Sequence, residues 1–363
     1  MGEVYTKQGQ QEQALQSYQQ ALQIQQDIGD QNGKSLTLKR LGSLYSLQGK
    51  TAEAIAALQQ SFQIAQAIGA RLTVIQTQNI LGQLYANQGQ NQSAVPLLQQ
   101  ALVNSQQVGD RASEAQALSN LGQLFAKQQQ PTLAIAFYKQ SINVTEGIRG
   151  GLKTLSKAQQ ESYTQTVADT YRSLADLLLT QGRILEAQQV LELLKIEEIR
   201  EYTRGKATDS TARRVELSPA EKTVLAKHGS LIDLGQKLYA CESKARSCSD
   251  AEETALKEQR YALTQEWNAT IRTFEKELGS NRAADEYVAN PKALIGEEVR
   301  DIVNAQPGTI LIYPVVLKDK LWILWATQGG IANPIEVPAR EVEINRAVLY
   351  QFLKYQLQIV HSG

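Results

Sequence analysis

The sequence predicts a mostly α-helical protein: an α-solenoid of about five helix-turn-helix repeats, a helical hairpin, and an incomplete α/β domain that starts in the order β-β-β-α. Small and apolar residues that recur every 40 residues predict the solenoid. Two capping-box sequences predict the hairpin, and apolar, β-branched runs predict the strands. The predicted division is a solenoid over 1–201, a linker over 202–217, a hairpin with a connecting helix over 218–306, and the α/β start over 307–363.

Composition excludes several classes of protein. The 363 residues carry 37 Lys and Arg against 37 Asp and Glu, so no basic surface for nucleic acid is expected. No apolar run reaches the roughly 18 residues of a membrane span, and the N-terminus lacks a signal-peptide core. The presence of only two cysteines indicates a reducing compartment. Two cysteines and two histidines also provide few ligands for a metal site. We therefore expect a cytoplasmic protein with no metal, no cofactor, and no nucleic-acid or membrane partner.

Glutamine marks a boundary near residue 200. Residues 1–200 hold 38 glutamines and residues 201–363 hold 8. Such richness can indicate disordered, aggregation-prone sequence. Here the glutamines alternate with apolar residues at helical spacing, as at Ala14, Leu15, Tyr18, Ala21 and Leu22, which favours the polar face of amphipathic helices.

The 40-residue repeat keeps a small residue, an aromatic residue and an alanine in register. These positions are Gly42, Tyr45, Ala54, Gly82, Tyr85, Ala94, Gly122, Phe125 and Ala134. The small residues predict close helix crossings, and the aromatic residues are expected to fill gaps between neighbouring repeats. Gly49 and Gly89 predict the turns, with Gln129 at the same place in the next copy. A further copy follows an insertion over roughly 147–159.

This register resembles the tetratricopeptide repeat (TPR), whose usual period is about 34 residues, and the longer period implies longer helices, as in kinesin-light-chain-type variants. The resemblance covers residues 1–201 and implies a concave groove lined by the first helix of each repeat, which binds a peptide or a partner protein. The predicted groove residues are Lys39, Ser43, Asn79, Gln83, Gln123 and Lys127. The alternative is a spacer surface that has no ligand.

Beyond residue 200 the pattern changes. The polar segment 203–214 predicts a flexible linker. Ser218 with Glu221, and Ser249 with Glu252, form capping boxes that predict helices over roughly 219–240 and 250–278.

Cys241 and Cys248 lie in the connection between these two helices. A redox pair and half of a metal site are conceivable, but no second Cys/His pair completes four zinc ligands. We interpret both cysteines as incidental, with a crosslink under oxidation as the remaining idea.

Strand signals dominate the last part. After a helix at about 292–305, the runs 309–317, 320–327 and 331–337 predict three strands, and 341–358 predicts a helix.

The repeat array, the segment LLKIEEIR at 193–200 and the hairpin TILIYPVVLKDKLWILWATQGGI together resemble the entry to a CHAT domain, a caspase-like module found behind TPR arrays, especially in cyanobacteria. The family carries its catalytic His and Cys in patterns like H-x-x-T-H-G and S-A-C-x-T, and neither occurs here. His361, Cys241 and Cys248 do not fit those places, so we assign no catalytic residue and expect no enzyme activity from this chain.

Two functions remain open. One is a protein-protein interaction scaffold attached to a truncated CHAT domain. The other is the regulatory, N-terminal portion of a CHAT-family cysteine peptidase whose catalytic His and Cys lie outside this chain. A split-gene product or fragment with no independent role is a third reading, since the sequence starts inside a repeat and stops inside a sheet. Strands at 309–338 are expected to associate with themselves or with a second chain.

Overall fold

A computed structural model describes residues 1–152, 156–199, 214–242, 248–281, 311–316, 320–327, 330–331 and 335–338. By their contacts the residues form two compact units. One unit is Met1–Leu174 with Leu193–Glu277, and the other is Ala175–Glu192 with Leu278–Gly363. The predicted division of the chain into four segments stays a prediction.

The first part of the chain is a succession of helices, as predicted. They are α1 (Gly2–Lys7), α2 (Gln11–Asp27), α3 (Gln31–Leu47), α4 (Thr51–Ala67), α5 (Arg71–Asn87), α6 (Asn91–Val108), α7 (Arg111–Lys127), α8 (Pro131–Gly151), α9 (Lys157–Thr180) and α10 (Ile184–Ile199). Helices α2, α3, α4, α5 and α7 have 17 residues each, and α6 has 18. Two such helices and two short turns account for the 40-residue period, so the predicted long helices are confirmed.

Each helix packs against the next one along the chain, from α1 to α8. Helix α5 also packs against α3 and α7, which are the first helices of the neighbouring repeats. This pattern is that of a TPR-type solenoid, in which each repeat buries its apolar face against its neighbours.

The turns depend on a residue in the left-handed backbone region. Gly49 and Gly89 both have φ of 73°, and the amide of Lys50 donates back to the carbonyl of Tyr45 over 2.9 Å. Glycine has no Cβ to oppose this conformation. Gln129 adopts it too, with φ of 58°, although it is not glycine.

The small residues of the repeat lie at helix crossings, as predicted. A Cβ atom added at Gly82 would lie 2.6 Å from Cδ2 of Leu98, which is closer than real side chains approach. Gly42 faces Leu58 and Gly122 faces Tyr138 in the same way. The alanines at 54, 94 and 134 have no exposed surface.

The predicted role of the aromatic positions is confirmed at Tyr45. Its ring packs against the cluster of Tyr18 and Leu44, and also against the next cluster, which includes Leu58 and Leu81. Tyr45 therefore fills the space between successive repeats.

Part of the insertion predicted at roughly 147–159 lengthens the two helices that flank it. Helix α8 has 21 residues and α9 has 24, against 17 in most of the earlier helices. Residues 153–155 of the insertion lie outside the described part.

The predicted helical hairpin is present as α11 (Pro219–Glu242) and α12 (Asp250–Asn281). Both predicted capping boxes form: Glu221 N donates to Ser218 Oγ over 3.1 Å, and Ser249 N donates to Glu252 Oε2 over 2.7 Å. Helix α11 packs on α8 and α6, the second helices of two repeats. Residues 200–213, which include most of the predicted linker, lie outside the described part. The end of that linker is fixed to α8, because the Asn143 side chain forms two hydrogen bonds with the backbone of Val215.

The interpretation of the cysteines as incidental is wrong. Cys241 and Cys248 form a disulfide with their Cα atoms 5.2 Å apart. The reason is local: Cys241 lies in the last turn of α11 and Cys248 directly precedes the N-cap of α12, so the hairpin brings them together.

The strands form one antiparallel sheet. They are β1 (Leu311–Val316), β2 (Lys320–Thr327), β3 (Gly330–Ile331) and β4 (Ile335–Pro338). Strand β2 pairs with β1 on one side and with β3 and β4 on the other. The single third strand predicted over 331–337 is therefore two short strands. The predicted helices at 292–305 and 341–358 lie outside the described residues.

Helix α9 contributes to the cover of β2. Trp322 Nε1 donates to Asp176 Oδ1 over 2.8 Å, and Lys320 Nζ lies 2.8 Å from the same oxygen. Sequence reasoning missed Asp176 as a partner of β2, because Asp176 lies 146 residues from Trp322 along the chain and no local pattern connects them.

Candidate functional site

A cavity of about 600 Å³ lies on the inner side of the repeats. This volume is in the usual range for ligand-binding sites, about 300–1,000 Å³. The lining comes from α3, α5, α7 and α9, with one residue from α8. The lining residues are Lys39, Gln76, Asn79, Ile80, Gln83, Ala112, Ser113, Gln116, Ser119, Asn120, Gln123, Tyr138, Thr166, Asp169, Thr170 and Ser173. The first helix of each repeat forms the site, as the TPR resemblance implies.

The lining is polar and almost uncharged. Carboxamide and hydroxyl side chains predominate, and Lys39 and Asp169 are the charged residues among those that line the cavity. Carboxamides and hydroxyls both donate and accept hydrogen bonds. The surface is therefore suited to a ligand with alternating donors and acceptors, such as a peptide.

Lys39 lies on α3 at one end of this surface. Its Nζ donates to Gln76 Oε1 on α5. Burial lowers the pKa of the Lys39 ammonium below its usual value, and the neighbouring Arg40 lowers it further, while Glu3 acts in the opposite direction.

Asn79 lies on α5 and is the most deeply buried carboxamide of the lining together with Asn120, each 3 % exposed. Asn79 Nδ2 donates to the backbone carbonyl of Ser113 on α7 over 3.1 Å. Its Oδ1 is buried and has no hydrogen-bond donor among the residues that the structure describes.

Asn120 on α7 differs because both ends of its carboxamide are occupied. Its Nδ2 donates to the backbone carbonyl of Asn79 over 3.2 Å, and its Oδ1 accepts from Gln116 Nε2 over 2.9 Å. This chain of hydrogen bonds holds α5 and α7 in register and fixes the orientation of the two asparagines.

The far end of the cavity is rich in hydroxyl groups. Ser119 Oγ on α7 lies 2.8 Å from Thr170 Oγ1 on α9. Burial raises the pKa of the Tyr138 phenol to about 12, and a hydrogen bond with Ser173 acts weakly in the opposite direction. The Tyr138 hydroxyl therefore stays protonated and neutral near pH 7.

The structure brings four of the six predicted groove residues to this cavity: Lys39, Asn79, Gln83 and Gln123. Ser43 and Lys127 are not among the lining residues. Ser43 Oγ donates to the backbone carbonyl of Lys39 over 3.1 Å, one turn earlier in α3. Lys127 is exposed near the end of α7, and its Nζ donates to Asn87 Oδ1 over 2.6 Å.

Sequence reasoning missed the remaining lining residues. Gln76 and Gln116 are 40 residues apart, so the repeat period could have identified them. Thr166, Asp169 and Thr170 could not be found this way, because the insertion before α9 breaks the register.

The described residues include no group of three or more His, Cys, Asp or Glu side chains that could hold a metal ion. His228 is buried away from the cavity, between Phe137, Trp267 and Phe125. Neither a cysteine nor a histidine lines the cavity.

None of the described helices is long and apolar enough to cross a membrane.

A search of curated proteins finds no match to the chain. A family model described as tetratricopeptide repeat matches residues 1–67 and 73–147. These two segments, which contain α1 to α4 and most of α5 to α8, are therefore tetratricopeptide repeats.

Proposed function

We propose that the chain is a protein-protein interaction scaffold whose groove, the lining surface of α3, α5, α7 and α9, binds a peptide segment of a partner protein. Tetratricopeptide repeats suggest such a scaffold. The single observation that carries the finer proposal is the 600 Å³ cavity on the inner helices, lined by carboxamides and hydroxyls. A surface that served only as a spacer has no need of a concave site with a buried acceptor, Asn79 Oδ1, that has no donor among the described residues.

The test is a selection of dodecapeptides from a random display library on the immobilised full chain. Affinities of the selected peptides are then measured for the double variant Gln83→Ala/Gln123→Ala. Both side chains line the cavity and are half-buried, so their removal alters the groove with little effect on the core. We expect binding to weaken at least about ten-fold, which corresponds to the loss of one or two hydrogen bonds.

The matched control is Gln60→Ala/Gln63→Ala, at two exposed glutamines on α4, a second helix of a repeat. We expect this variant to bind the selected peptides as the unchanged chain does. Peptides that bind both double variants equally well would contradict the groove as the binding surface.

We also infer that the C-terminal strands are the beginning of a CHAT-type domain and that this chain has no peptidase activity of its own. The β1–β2 hairpin at the predicted place supports the first part, and the lack of both catalytic sequence patterns supports the second. The alternative is the regulatory portion of a CHAT-family cysteine peptidase. A cytoplasmic location belongs to the same proposal. Incubation of the reduced chain with a panel of peptide substrates and a thiol-reactive probe tests the lack of peptidase activity: turnover that depends on Cys241 or Cys248 would overturn it.

A second surface is proposed at the strands over 309–338, through which the chain associates with itself or with a second chain. Within the described residues, β1, β3 and β4 each pair on one side only, and Ile335 in β4 is 42 % exposed. Pro314 lies in the interior of β1 and cannot donate to a further strand, whereas the proline of β4, Pro338, is its last residue, so the β3–β4 edge is the better candidate. Light scattering of the full chain and of Ile335→Lys tests this: we expect association that the variant relieves, and a monomeric unchanged chain would refute it.

A further inference from the structure

We propose that the groove selects an extended peptide segment with uncharged polar side chains, namely Asn, Gln, Ser and Thr, and that Asn79 Oδ1 accepts an N–H from it. This inference rests on the proposed peptide-binding function and adds the chemical class of the ligand. It follows from three features of the cavity: the fixed orientation of Asn79, its acceptor oxygen without a donor in the described part of the chain, and the placement of the two charges.

The orientation of Asn79 is set by its neighbour. The backbone carbonyl of Ser113 lies 3.1 Å from Asn79 Nδ2 and can only accept a hydrogen bond. A flipped carboxamide would place two acceptors against each other, so the nitrogen must face Ser113 and the oxygen must face elsewhere.

The oxygen is then a directed acceptor. It is buried, belongs to a lining residue, and has no donor among the described residues. A buried acceptor without a donor is unfavourable, so the site favours a ligand that brings an N–H to it. Asn120 on the neighbouring helix α7 has no such vacancy, because both of its polar ends are occupied within the protein.

The charges lie at the two ends of the site. Lys39 on α3 already donates to Gln76, and Asp169 on α9 lies 3.4 Å from the guanidinium of Arg172. The lining between them, from α5 and α7, contains no charged side chain. A charged ligand side chain placed there would lose water without meeting an opposite charge. A ligand carboxamide or hydroxyl would instead replace its hydrogen bonds to water with hydrogen bonds to Gln83, Gln116 or Gln123.

The experiment uses the full chain and the same dodecapeptide library. The composition of the enriched peptides is recorded, and their Kd values are measured by calorimetry at about 0.05 M and about 0.5 M sodium chloride. We expect enrichment in Asn, Gln, Ser and Thr with little net charge. We expect Kd to change less than about two-fold with salt, because salt screens charges and not neutral hydrogen bonds.

The variant Asn79→Leu removes the acceptor at similar volume, and we expect binding to weaken at least about ten-fold. Asn104→Leu is its control: Asn104 on α6 is hydrogen-bonded to Gln78 and Gln100 and does not line the cavity. It should bind as the unchanged chain does. If Asn79→Leu melts at a lower temperature by circular dichroism, Asn79→Ser replaces it, since serine adds no bulk and its shorter side chain also removes the Oδ1 acceptor.

Three results would overturn the inference. Enriched peptides that are acidic or basic, with affinity that falls steeply with salt, refute the ligand class while the groove remains a peptide site. Neutral peptides that bind Asn79→Leu and Asn79→Ser as well as the unchanged chain refute the role of its oxygen. A library from which nothing binds more tightly to the unchanged chain than to Gln83→Ala/Gln123→Ala refutes the proposed function itself, and this inference with it.

Discussion

Lys139 Nζ on α8 lies 3.0 Å from Glu221 Oε2 on α11, and both side chains are almost fully buried. The same ammonium donates to the backbone carbonyl of Glu216 over 3.0 Å, and the same carboxylate accepts from the amide of Ser218 over 2.8 Å. This buried ion pair joins the start of the hairpin to the outer side of a tetratricopeptide repeat. The hairpin is thus attached to the repeats by paired charges as well as by apolar packing.

The first prediction concerns this ion pair. Glu221→Gln keeps an acceptor for the amide of Ser218 but replaces the carboxylate beside the buried Lys139 ammonium with a neutral carboxamide. We expect the free energy of unfolding to fall by about 3–5 kcal/mol, as for other buried pairs that lose one partner. Urea denaturation followed by circular dichroism measures it.

The control for Glu221→Gln is Glu266→Gln, which removes a much more exposed pair between the two hairpin helices. Lys227 Nζ lies 3.3 Å from Glu266 Oε2, and the Glu266 side chain is 63 % exposed. Loss of the Lys227–Glu266 pair should lower the free energy of unfolding by less than about 1 kcal/mol. Equal effects of the two substitutions would show that the Lys139–Glu221 pair is not buried in solution.

The second prediction concerns His228, which lies between aromatic rings on the inner side of α11. Burial lowers its pKa to about 4. The unfolded chain then binds more protons than the folded one between that pH and about 6.5, so stability rises with pH in this window and is lost as pH falls. As the pH falls to about 4, we expect the free energy of unfolding of the unchanged chain to drop by about 3 kcal/mol more than that of His228→Phe, whose ring does not titrate.

Chemical denaturation of the unchanged chain and of His228→Phe at several pH values between about 4 and 7 checks this. The comparison removes the contribution of carboxylates, which titrate in both proteins. Parallel stability curves for the two proteins would contradict the burial of a neutral His228.

The third prediction concerns the turns. Gln129 has a left-handed backbone, which costs a residue with a side chain roughly 1–2 kcal/mol. Gln129→Gly should therefore stabilise the chain by about 0.5–1 kcal/mol, after the greater entropy of glycine in the unfolded state is subtracted. Gly89→Ala, at the equivalent turn one repeat earlier, should destabilise by about 1 kcal/mol. Thermal melts that move in the same direction for both variants would be inconsistent with this turn geometry.

The fourth prediction concerns the helix crossings. Gly82→Leu places a side chain against Leu98, where even a Cβ atom has no room. Overpacking of this kind typically costs about 1–3 kcal/mol. Gly147→Leu in α8 is the control, because a Cβ atom there meets nothing within 4 Å. It should be neutral or slightly stabilising, since leucine favours helix over glycine. An unchanged melting temperature for Gly82→Leu would refute the crossing contact.

The repeats could be predicted from the sequence because their information is local and repeated. Each small residue at 42, 82 and 122 meets its partner 16 residues later, within one helical hairpin. Four of the six predicted groove residues line the cavity for the same reason, since a fixed register places equivalent residues on one face.

Contacts between distant segments could not be predicted. Lys139 meets Glu221 across 82 residues, and Trp322 meets Asp176 across 146. No periodic pattern connects such pairs. A lysine on a helix is usually exposed, and the burial of Lys139 results from the packing of α11 on α8, which no local pattern predicts. The disulfide was missed for a different reason, because two cysteines in a chain of this size indicate reduced thiols more often than a crosslink.

The central claim is that the inner surface of α3, α5, α7 and α9 binds the partner and that the hairpin does not. Hydrogen-deuterium exchange of the full chain, measured with and without the tightest selected dodecapeptide, tests it most directly. We predict slower exchange in α5 and α7 on binding, and unchanged exchange in α11 and α12. Protection confined to residues 219–281, or to the strands within 311–338, would contradict the claim.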